Sequence, residues 1–329
     1  MFAAPPGSLP ASSEAGKAAL HARPVIAAVV VTHNRPQLLR TVLDALHRQV
    51  RQLDRLIVVD NASDVPTAAL LALLRASGDC GALDVLRSER NLGGAGGFAL
   101  GLQAACAGGA DWVWLLDDDA VPRPGALAAL ERAAGGAGPD CGAVCGAVRE
   151  FGRLALVHRR TYGRWTGLER ALPETAYATG APIVIGTGSF VGFMVAATAV
   201  ARVGLPEPAF FLSYDDTDFS LRLRRAGLRI WLAPDSVIEH LRDAETRLRA
   251  GPVGPKHYFN IRNRIVTARR HAAWPALGAV VAALIGLALW LASAGRFRPG
   301  ALAVVRQALR DGWRGQLGPY PAEPAPDES

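Results

Sequence analysis

The chain has 329 residues, of which 50% are hydrophobic and 20% are charged, and its formal net charge is +7. This composition is enough for a large buried core and excludes an intrinsically disordered chain, for which low hydrophobicity is typical. The positive charge comes almost entirely from arginine, since Lys17 and Lys256 are the only lysines. A GC-rich coding sequence would give the same bias, so charge alone leaves acidic substrates, anionic lipid and nucleic acid open as partners.

Both ends of the chain are expected to be disordered. Residues 1–24 are rich in Ala, Pro and Ser but have neither a basic start nor a long apolar run, so they predict a disordered leader and not a signal peptide. Residues 318–329 are proline-rich and acidic, which predicts a disordered tail. The cysteines show no metal-binding spacing with histidine and are expected to be reduced core residues of a cytoplasmic protein. They are Cys80, Cys106, Cys141 and Cys145.

Strands and helices alternate through the first part of the chain. The β-branched run 25–31 predicts a buried strand, and Pro36 with the apolar spacing after it predicts a helix. A second strand is predicted at 56–60, a helix over 66–77 and a short strand at 83–86. Such alternation predicts a parallel sheet with right-handed crossovers.

A glycine-rich segment and three adjacent carboxylates follow. Residues 90–98 hold four glycines in five positions and lead into a helix predicted at 95–107, where backbone amides could meet phosphate. The apolar run 112–116 predicts a strand that ends in Asp117, Asp118 and Asp119. Carboxylates this close raise one another's pKa unless a cation offsets them, and oxygen ligands suit Mg²⁺ or Mn²⁺. A flexible loop and a solvated acidic turn are the alternative interpretations of the two segments.

The second half contains another acidic cluster. Residues 133–142 predict a Gly/Pro-rich break and 144–148 a strand, and His158 is expected to be a surface histidine. Residues 183–195 predict a pair of core strands. Three acids, at 215, 216 and 218, begin a predicted helix, where the helix dipole alone would stabilise them.

Four motifs in this order resemble family 2 glycosyltransferases of the GT-A fold. They are Val30–Pro36, Val58–Asn61, Asn91–Phe98 and Asp117–Asp119, and the last two resemble most the bacterial galactofuranosyltransferases, with rhamnosyltransferases as near neighbours. The resemblance covers roughly residues 25–270. It implies an α/β fold with a mostly parallel central sheet flanked by helices. Its catalytic domain would span 25–255, with a nucleotide-sugar half at 25–120 and an acceptor half at 121–255.

The resemblance also assigns roles to single residues. Asp216 would be the general base that deprotonates the acceptor hydroxyl, and Asp215 would position the acceptor sugar. The metal ligands would be Asp117, Asp119 and His240, although a lone histidine is usually not a ligand. Arg35 could instead cap local structure, and Asp60 could merely end a strand. The residues expected to hold the nucleotide sugar are Thr32, Asn34, Arg35, Asp60, Asn91, Gly93, Gly94 and Asp118.

The function implied by the resemblance is an inverting glycosyltransferase that depends on Mn²⁺ or Mg²⁺. UDP-galactofuranose is the favoured donor and dTDP-rhamnose the second, the acceptor is a cell-envelope glycan or a lipid-linked sugar, and no nucleic acid partner is expected. A nucleotidyltransferase would need a lysine in the glycine-rich segment, where residues 90–98 offer only Arg90. A non-catalytic binding module is the third hypothesis, and the intact Asp119, Asp216 and His240 argue against it.

The region 256–317 predicts helices that associate with a membrane. Residues 272–295 carry no charge, and this stretch is long enough to span a bilayer. Its alanines and glycines make its hydrophobicity modest. Arginines and the rings of Trp274 and Trp290 lie near the ends, as at membrane interfaces. We expect an interfacial helix rather than a full span, with a buried core helix as the alternative. A basic amphipathic helix is predicted at 304–313, and the protein is expected on the cytoplasmic side of the cell membrane, peripheral or monotopic.

Overall fold

The computed structural model describes residues 23–77, 83–242, 248 and 251–320. The predicted leader, apart from Arg23 and Pro24, and Cys80 therefore lie outside the described residues. In the first half every predicted strand and helix is found, with ends within a few residues of the prediction. These elements are β1 (Ile26–Thr32), α1 (Pro36–His47), β2 (Arg55–Asn61), α2 (Val65–Ser77), β3 (Leu83–Ser88), α3 (Gly93–Ala107) and β4 (Trp112–Asp117).

The second half contains two long strands, Cys141–Glu150 and Arg229–His240, and several strands of only two to four residues. The predicted break at 133–142 begins later, because α4 continues to Gly136. The elements are β5 (Ala120–Pro122), α4 (Ala126–Gly136), β6 (Cys141–Glu150), β7 (Arg153–Leu154), β8 (Arg159–Tyr162), β9 (Glu169–Ala171), β10 (Ile183–Ile185), β11 (Thr187–Gly188), β12 (Phe193–Ala196), α5 (Ala197–Val203), α6 (Asp215–Arg225) and β13 (Arg229–His240).

A single large sheet runs through the molecule in the order β10-β13-β6-β12-β4-β1-β2-β3. Strands β4, β1, β2 and β3 are parallel to one another, and β6 is parallel to β13. Strand β12 lies antiparallel between β4 and β6 and joins the two groups. The predicted mostly parallel sheet is thus confirmed. A small second sheet contains β11, β8 and β9 in that order.

Helices cover both faces of the sheet. Along β1, alternate residues such as Ala28 and Val30 pack in a core with α1, whereas Ala27 and Val29 pack on the other face against α3. A Cβ at Gly97 of α3 would come within 2.5 Å of Val31, so one of the clustered glycines allows close contact between helix and sheet. Strands that are buried on both faces have continuous apolar sequences, so these strands can be predicted from the sequence.

Three helices form the C-terminal region: α7 (Pro255–His271), α8 (Pro275–Leu291) and α9 (Ala301–Arg314). Helix α7 packs against both α8 and α9, with Ile261 and Ile265 among its buried residues. No helix among residues 23–77, 83–242 and 251–320 is long and apolar enough to cross a bilayer. Gly318, in the predicted disordered tail, hydrogen-bonds the carbonyl of Ala209 at 2.7 Å, and the rest of that tail beyond residue 320 lies outside the described residues.

Candidate active site

A cleft of about 660 Å³ opens where the strands of the large sheet end. The directions of β4, β6 and β13 agree, so their carboxyl ends share one edge with that of β1. This is the edge at which open α/β sheets bind ligands. Both acidic clusters reach the cleft: Asp117, Asp118 and Asp119 at the end of β4, and Asp216 at the start of α6. The two clusters therefore converge on one space, although about a hundred residues separate them in the sequence.

Two carboxylates and an imidazole in the cleft form a candidate cation site. Asp117, Asp119 and His240 each offer one ligand atom, and these atoms lie within 4.8 Å of one another. Burial, followed by the charge of Asp119, raises the pKa of Asp117 to about 7. Burial opposes protonation of His240, but its bonds to Asp119 and Glu150 raise its pKa to about 9. The cluster thus attracts positive charge, and its oxygen and nitrogen donors fit Mn²⁺ or Mg²⁺.

Glu150 orients His240 from behind. Its Oε1 lies 2.9 Å from Nδ1 of His240 and 3.1 Å from Nε2 of His158, so the opposite nitrogen of His240, Nε2, faces Asp119 at 3.1 Å. A carboxylate on the far nitrogen is the usual support of a metal-binding histidine. Sequence analysis missed Glu150, although an acid at the end of a buried strand is the same signal that singled out Asp60.

The prediction that His158 is a surface histidine is wrong. His158 is 6% exposed, and its Nδ1 lies 2.8 Å from Oγ of Ser189. After β6 the chain turns back and forms the short strand β7, antiparallel to β6. This turn brings His158 to Glu150 at the end of β6. Burial lowers the pKa of His158 to about 4, so the imidazole is neutral at pH 7 and donates to Glu150.

Replacement of Glu150 by Gln should weaken cation binding. The amide lacks the negative charge that fixes the proton of His240 on Nδ1, and loss of such a supporting group typically costs about 10–100-fold in metal affinity. We expect about tenfold weaker Mn²⁺ binding, measured by electron paramagnetic resonance of the free ion. Glu239→Gln is the matched control. Glu239 also lies at the carboxyl end of a strand of the large sheet, β13, but it pairs with Arg123. Equal Mn²⁺ affinity in Glu150→Gln and wild type would contradict the role.

Of the predicted nucleotide-binding residues, Arg35 and Asp118 line the cleft, and Thr32 contacts Asp118 without lining it. Thr32 Oγ1 donates to Asp118 at 2.8 Å, and Arg35 Nη1 donates to Asp118 at 3.2 Å and to Asp119 at 2.9 Å. Arg35 makes no side-chain capping bond at the start of α1, which argues against a purely local role. Burial raises the pKa of Asp118, while Arg35 and Thr32 oppose the rise.

The remaining predicted nucleotide-binding residues do not line the cleft. Asp60 is buried, accepts the Ser63 amide at 2.9 Å and pairs with Arg87. Asn34 accepts the amide of Asp64 at 2.6 Å. Through these bonds both side chains stabilise the turns that follow β1 and β2.

The glycine-rich segment is also held by protein contacts. Asn91 Oδ1 accepts the amide of Gly93 at 2.8 Å, which fixes the turn into α3. Gly93 has a φ of +69°, and a Cβ there would lie 2.0 Å from the carbonyl oxygen of Phe211. A Cβ at Gly94 would meet no atom within 4 Å, so packing explains Gly93 and leaves Gly94 unexplained.

The three acids of α6 have different surroundings. Asp216 lines the cleft, and burial raises its pKa against the charge of Arg160. Asp215 does not line the cleft, and burial and then Asp216 raise its pKa well above the usual value. Asp218 contacts His271 of α7 at 2.8 Å, and this contact lowers its pKa despite burial. A raised pKa makes a carboxylate a stronger base, and Asp216 is the α6 acid that faces the space.

Basic side chains surround the rest of the cleft. They would offset the charge of an anionic ligand such as a diphosphate. A cation site, basic walls and a basic carboxylate together suit transfer of a group from an anionic leaving group to a hydroxyl. They are Arg35, Arg160, Arg242, Lys256 and Arg264. Of these residues, only Arg35 was predicted from the sequence to belong to the site.

Comparisons with known proteins agree with this geometry. The family described as "Glycosyltransferase like family 2" matches residues 23–278. Galactofuranosyltransferase GlfT1 of Mycolicibacterium smegmatis is 39% identical over 210 residues, which cover 62% of this chain and 67% of the relative. GlfT1 of Mycobacterium tuberculosis is 38% identical over 221 residues, 65% of this chain and 69% of the relative.

Solved structures resemble the fold at low identity. The mannosyltransferase PcManGT from Pyrobaculum calidifontis, in complex with GDP-Man and Mn²⁺, has a TM-score of 0.56 at 16% identity and covers 90% of this chain and 89% of its own. GalNAc-T7 with UDP, GalNAc and Mn²⁺ has a TM-score of 0.59 at 15% identity and covers 74% and 47%. The chain therefore belongs to glycosyltransferase family 2 and is a glycosyltransferase with the GT-A fold.

Proposed function

We propose that the protein transfers galactofuranose, with inversion, from UDP-galactofuranose to a lipid-linked glycan of the cell envelope. The observation that carries the proposal is that the candidate cation site of Asp117, Asp119 and His240 lines the same cleft as Asp216. The choice of sugar is supported by the two galactofuranosyltransferase relatives, which are 38–39% identical.

In this proposal the chain supplies two kinds of group. Asp117, Asp119 and His240 would hold Mn²⁺ or Mg²⁺, whose charge would neutralise the diphosphate of the leaving nucleotide. Arg35 and Lys256 add positive charge to the same walls. Asp216 takes the proton of the acceptor hydroxyl as that oxygen attacks the anomeric carbon. A single displacement from the opposite face inverts the configuration at that carbon.

A panel of nucleotide sugars tests the donor. We expect transfer to a lipid-linked glycan from UDP-galactofuranose, loss of transfer with EDTA and recovery with Mn²⁺ or Mg²⁺, and an inverted anomeric centre by NMR of the product. Transfer from dTDP-rhamnose alone would replace the proposal with a rhamnosyltransferase. Binding of nucleotide sugars without transfer or hydrolysis would make the protein a binding module.

We also propose that α8 rests on the cytoplasmic surface of the membrane, where a lipid-linked acceptor would lie. Its small residues, such as Ala279 and Ala282, pack inward, whereas Leu277 and Leu284 are exposed. Exposed Trp274 lies at the start of the helix, with its ring centre 5.6 Å from that of Trp165. Exposed apolar side chains with tryptophan at the end of a helix are typical of an interfacial helix.

A charge on the exposed face of α8 should weaken membrane binding. Leu284→Lys should lower the partition onto vesicles containing anionic lipid by about tenfold, since burying one leucine is worth about 1.5–3 kcal/mol. The control is Leu73→Lys on α2, because Leu73 is 63% exposed and Leu284 is 59% exposed. Cosedimentation is the measurement. Equal sedimentation of the two variants would remove α8 as the contact.

A further inference from the structure

The loop that leads into α6 has an unfavourable backbone. Phe211, Ser213 and Tyr214 have φ values of +63°, +67° and +70°, although none of them is glycine. At Phe211, with ψ −55°, the amide of Leu212 donates to the carbonyl of Phe210 at 2.7 Å, which is the rare and strained γ-turn. Such conformations persist only where the surroundings enforce them, and they concentrate at functional sites.

This loop forms one wall of the active-site cleft. Leu212, Ser213 and Tyr214 all line the cleft, and Tyr214 immediately precedes the first turn of α6. The carbonyl of Tyr214 accepts the amide of Asp218 at 2.8 Å, so the loop and the helix start are continuous. The position of the Asp216 carboxylate therefore depends on the conformation of the loop.

One side chain of α7 holds this loop. Asn263 is fully buried, and the two hydrogens of its Nδ2 are shared among three carbonyl oxygens, those of Phe210 at 3.0 Å, Leu212 at 2.8 Å and Ser213 at 2.8 Å. Its own Oδ1 accepts Nε of Arg262 at 2.7 Å, which fixes the amide with its donors toward the loop. Arg262 Nη2 also donates to Phe210, at 2.9 Å.

The C-terminal helices support this pair of residues in turn. The guanidinium of Arg262 lies over the ring of Phe259, at 5.0 Å from its centre, and its Nη1 donates to the carbonyl of Gly318 at 2.6 Å. The ring of Phe259 stacks on that of Phe211 at 5.1 Å. The residues that hold the loop thus come from the region 256–317, which the sequence predicted to be helical and membrane-associated.

We propose that Asn263, oriented by Arg262, is a positioning residue for the transfer step. It keeps the strained loop 211–214 in the conformation that places Asp216 opposite the cation site. The inference rests on the proposed role of Asp216. It concerns neither the nucleotide nor the cation, since Asn263 contacts the loop and not Asp117, Asp119 or His240.

Replacement of Asn263 by Ala should slow the transfer step and leave donor binding intact. Small misplacements of a reacting group can cost about 100-fold, so we expect kcat to fall by about 10–100-fold. The KM for the donor and the dissociation constants for UDP and Mn²⁺ should stay within about twofold of wild type, because the residues that would bind them are untouched. Sites titrated by UDP binding give the amount of folded enzyme, so misfolded molecules do not enter kcat.

A reading independent of turnover comes from hydrogen exchange followed by mass spectrometry. In Asn263→Ala, peptides that cover 208–220 should exchange faster, while those of β1 and β2 should not change. Exchange and nucleotide binding require no transfer, so they test the loop even if galactofuranose proves to be the wrong sugar. Unchanged exchange in 208–220 would overturn the inference without affecting the proposed function.

Two further variants separate positioning from general stability. Ser293, which follows α8, makes another buried hydrogen bond to α7, with His257 at 3.0 Å. Ser293→Ala removes this bond and should leave kcat unchanged. Arg262→Met keeps Asn263 but releases its amide and should lower kcat in the same direction. If Asn263→Ala binds no UDP because it does not fold, Arg262→Met decides the question. An equal loss of kcat in Ser293→Ala, or normal kcat in folded Asn263→Ala, would contradict the inference.

Discussion

Asp216→Asn should abolish most transfer while nucleotide and cation still bind. The amide has nearly the same shape but cannot accept the hydroxyl proton, and loss of a general base typically costs about 10²–10⁴-fold in rate. We expect kcat to fall by that factor, with the dissociation constants for UDP and Mn²⁺ near wild type. Product formation from radiolabelled donor measures the first, and calorimetry measures the second.

The neighbouring acid of the same helical turn provides the control. Asp218 points toward α7 and is paired with His271 and Arg222. Asp218→Asn should therefore lower the melting temperature and leave kcat per folded molecule within a few-fold of wild type. If Asp218→Asn lost as much turnover as Asp216→Asn, or if Asp216→Asn stayed near wild type, the base would have to be assigned elsewhere.

Asp119→Asn should remove both cation binding and turnover. Asp119 belongs to the three-residue donor set and also pairs with Arg35, so the change takes a negative charge from the centre of the cluster. Charge stabilisation by a bound metal is worth several kcal/mol, so we expect kcat/KM to fall by about 10²–10³-fold or more. Electron paramagnetic resonance should show free Mn²⁺ at concentrations that saturate the wild type.

A carboxylate outside the cleft tests whether the loss is specific. Asp84, on β3 at the end of the sheet, pairs with Arg55 and does not line the cleft. Asp84→Asn should bind Mn²⁺ as the wild type does. Undiminished Mn²⁺ binding by Asp119→Asn would show that the cation lies elsewhere or that Asp117 and His240 suffice without it.

The first half of the fold was predictable because its signals are local. Buried parallel strands give apolar runs, and an acid or a threonine at each end marks the shared edge, as at Thr32 and Asp117. Asp60 shows the limit of the same rule, because its oxygens bond the Ser63 amide and Arg87 instead of facing the cleft. The sequence indicates where a carboxylate lies along a strand, but it does not indicate which neighbouring groups hydrogen-bond to it.

Contacts that depend on distant segments could not be predicted. His158 begins an arginine-rich stretch, a composition typical of the surface, and only the turn after β6 brings it to Glu150. Asn263 lies 51 residues from Leu212 along the chain, and no local pattern connects them. In both cases tertiary packing determines which residue is the hydrogen-bond partner, and periodicity and motif spacing carry no information about that packing.

Strand β12, antiparallel between β4 and β6, has a consequence for the order of binding. Through it, the strands that carry Asp117, Glu150 and His240 belong to one hydrogen-bonded sheet, with two register shifts in the pairing of β6 and β13. Their spacing is therefore set before any ligand arrives, and little free energy is lost in assembling them. A divalent cation would find this site already formed, and it would offset the charges of Asp117 and Asp119 before the nucleotide arrives.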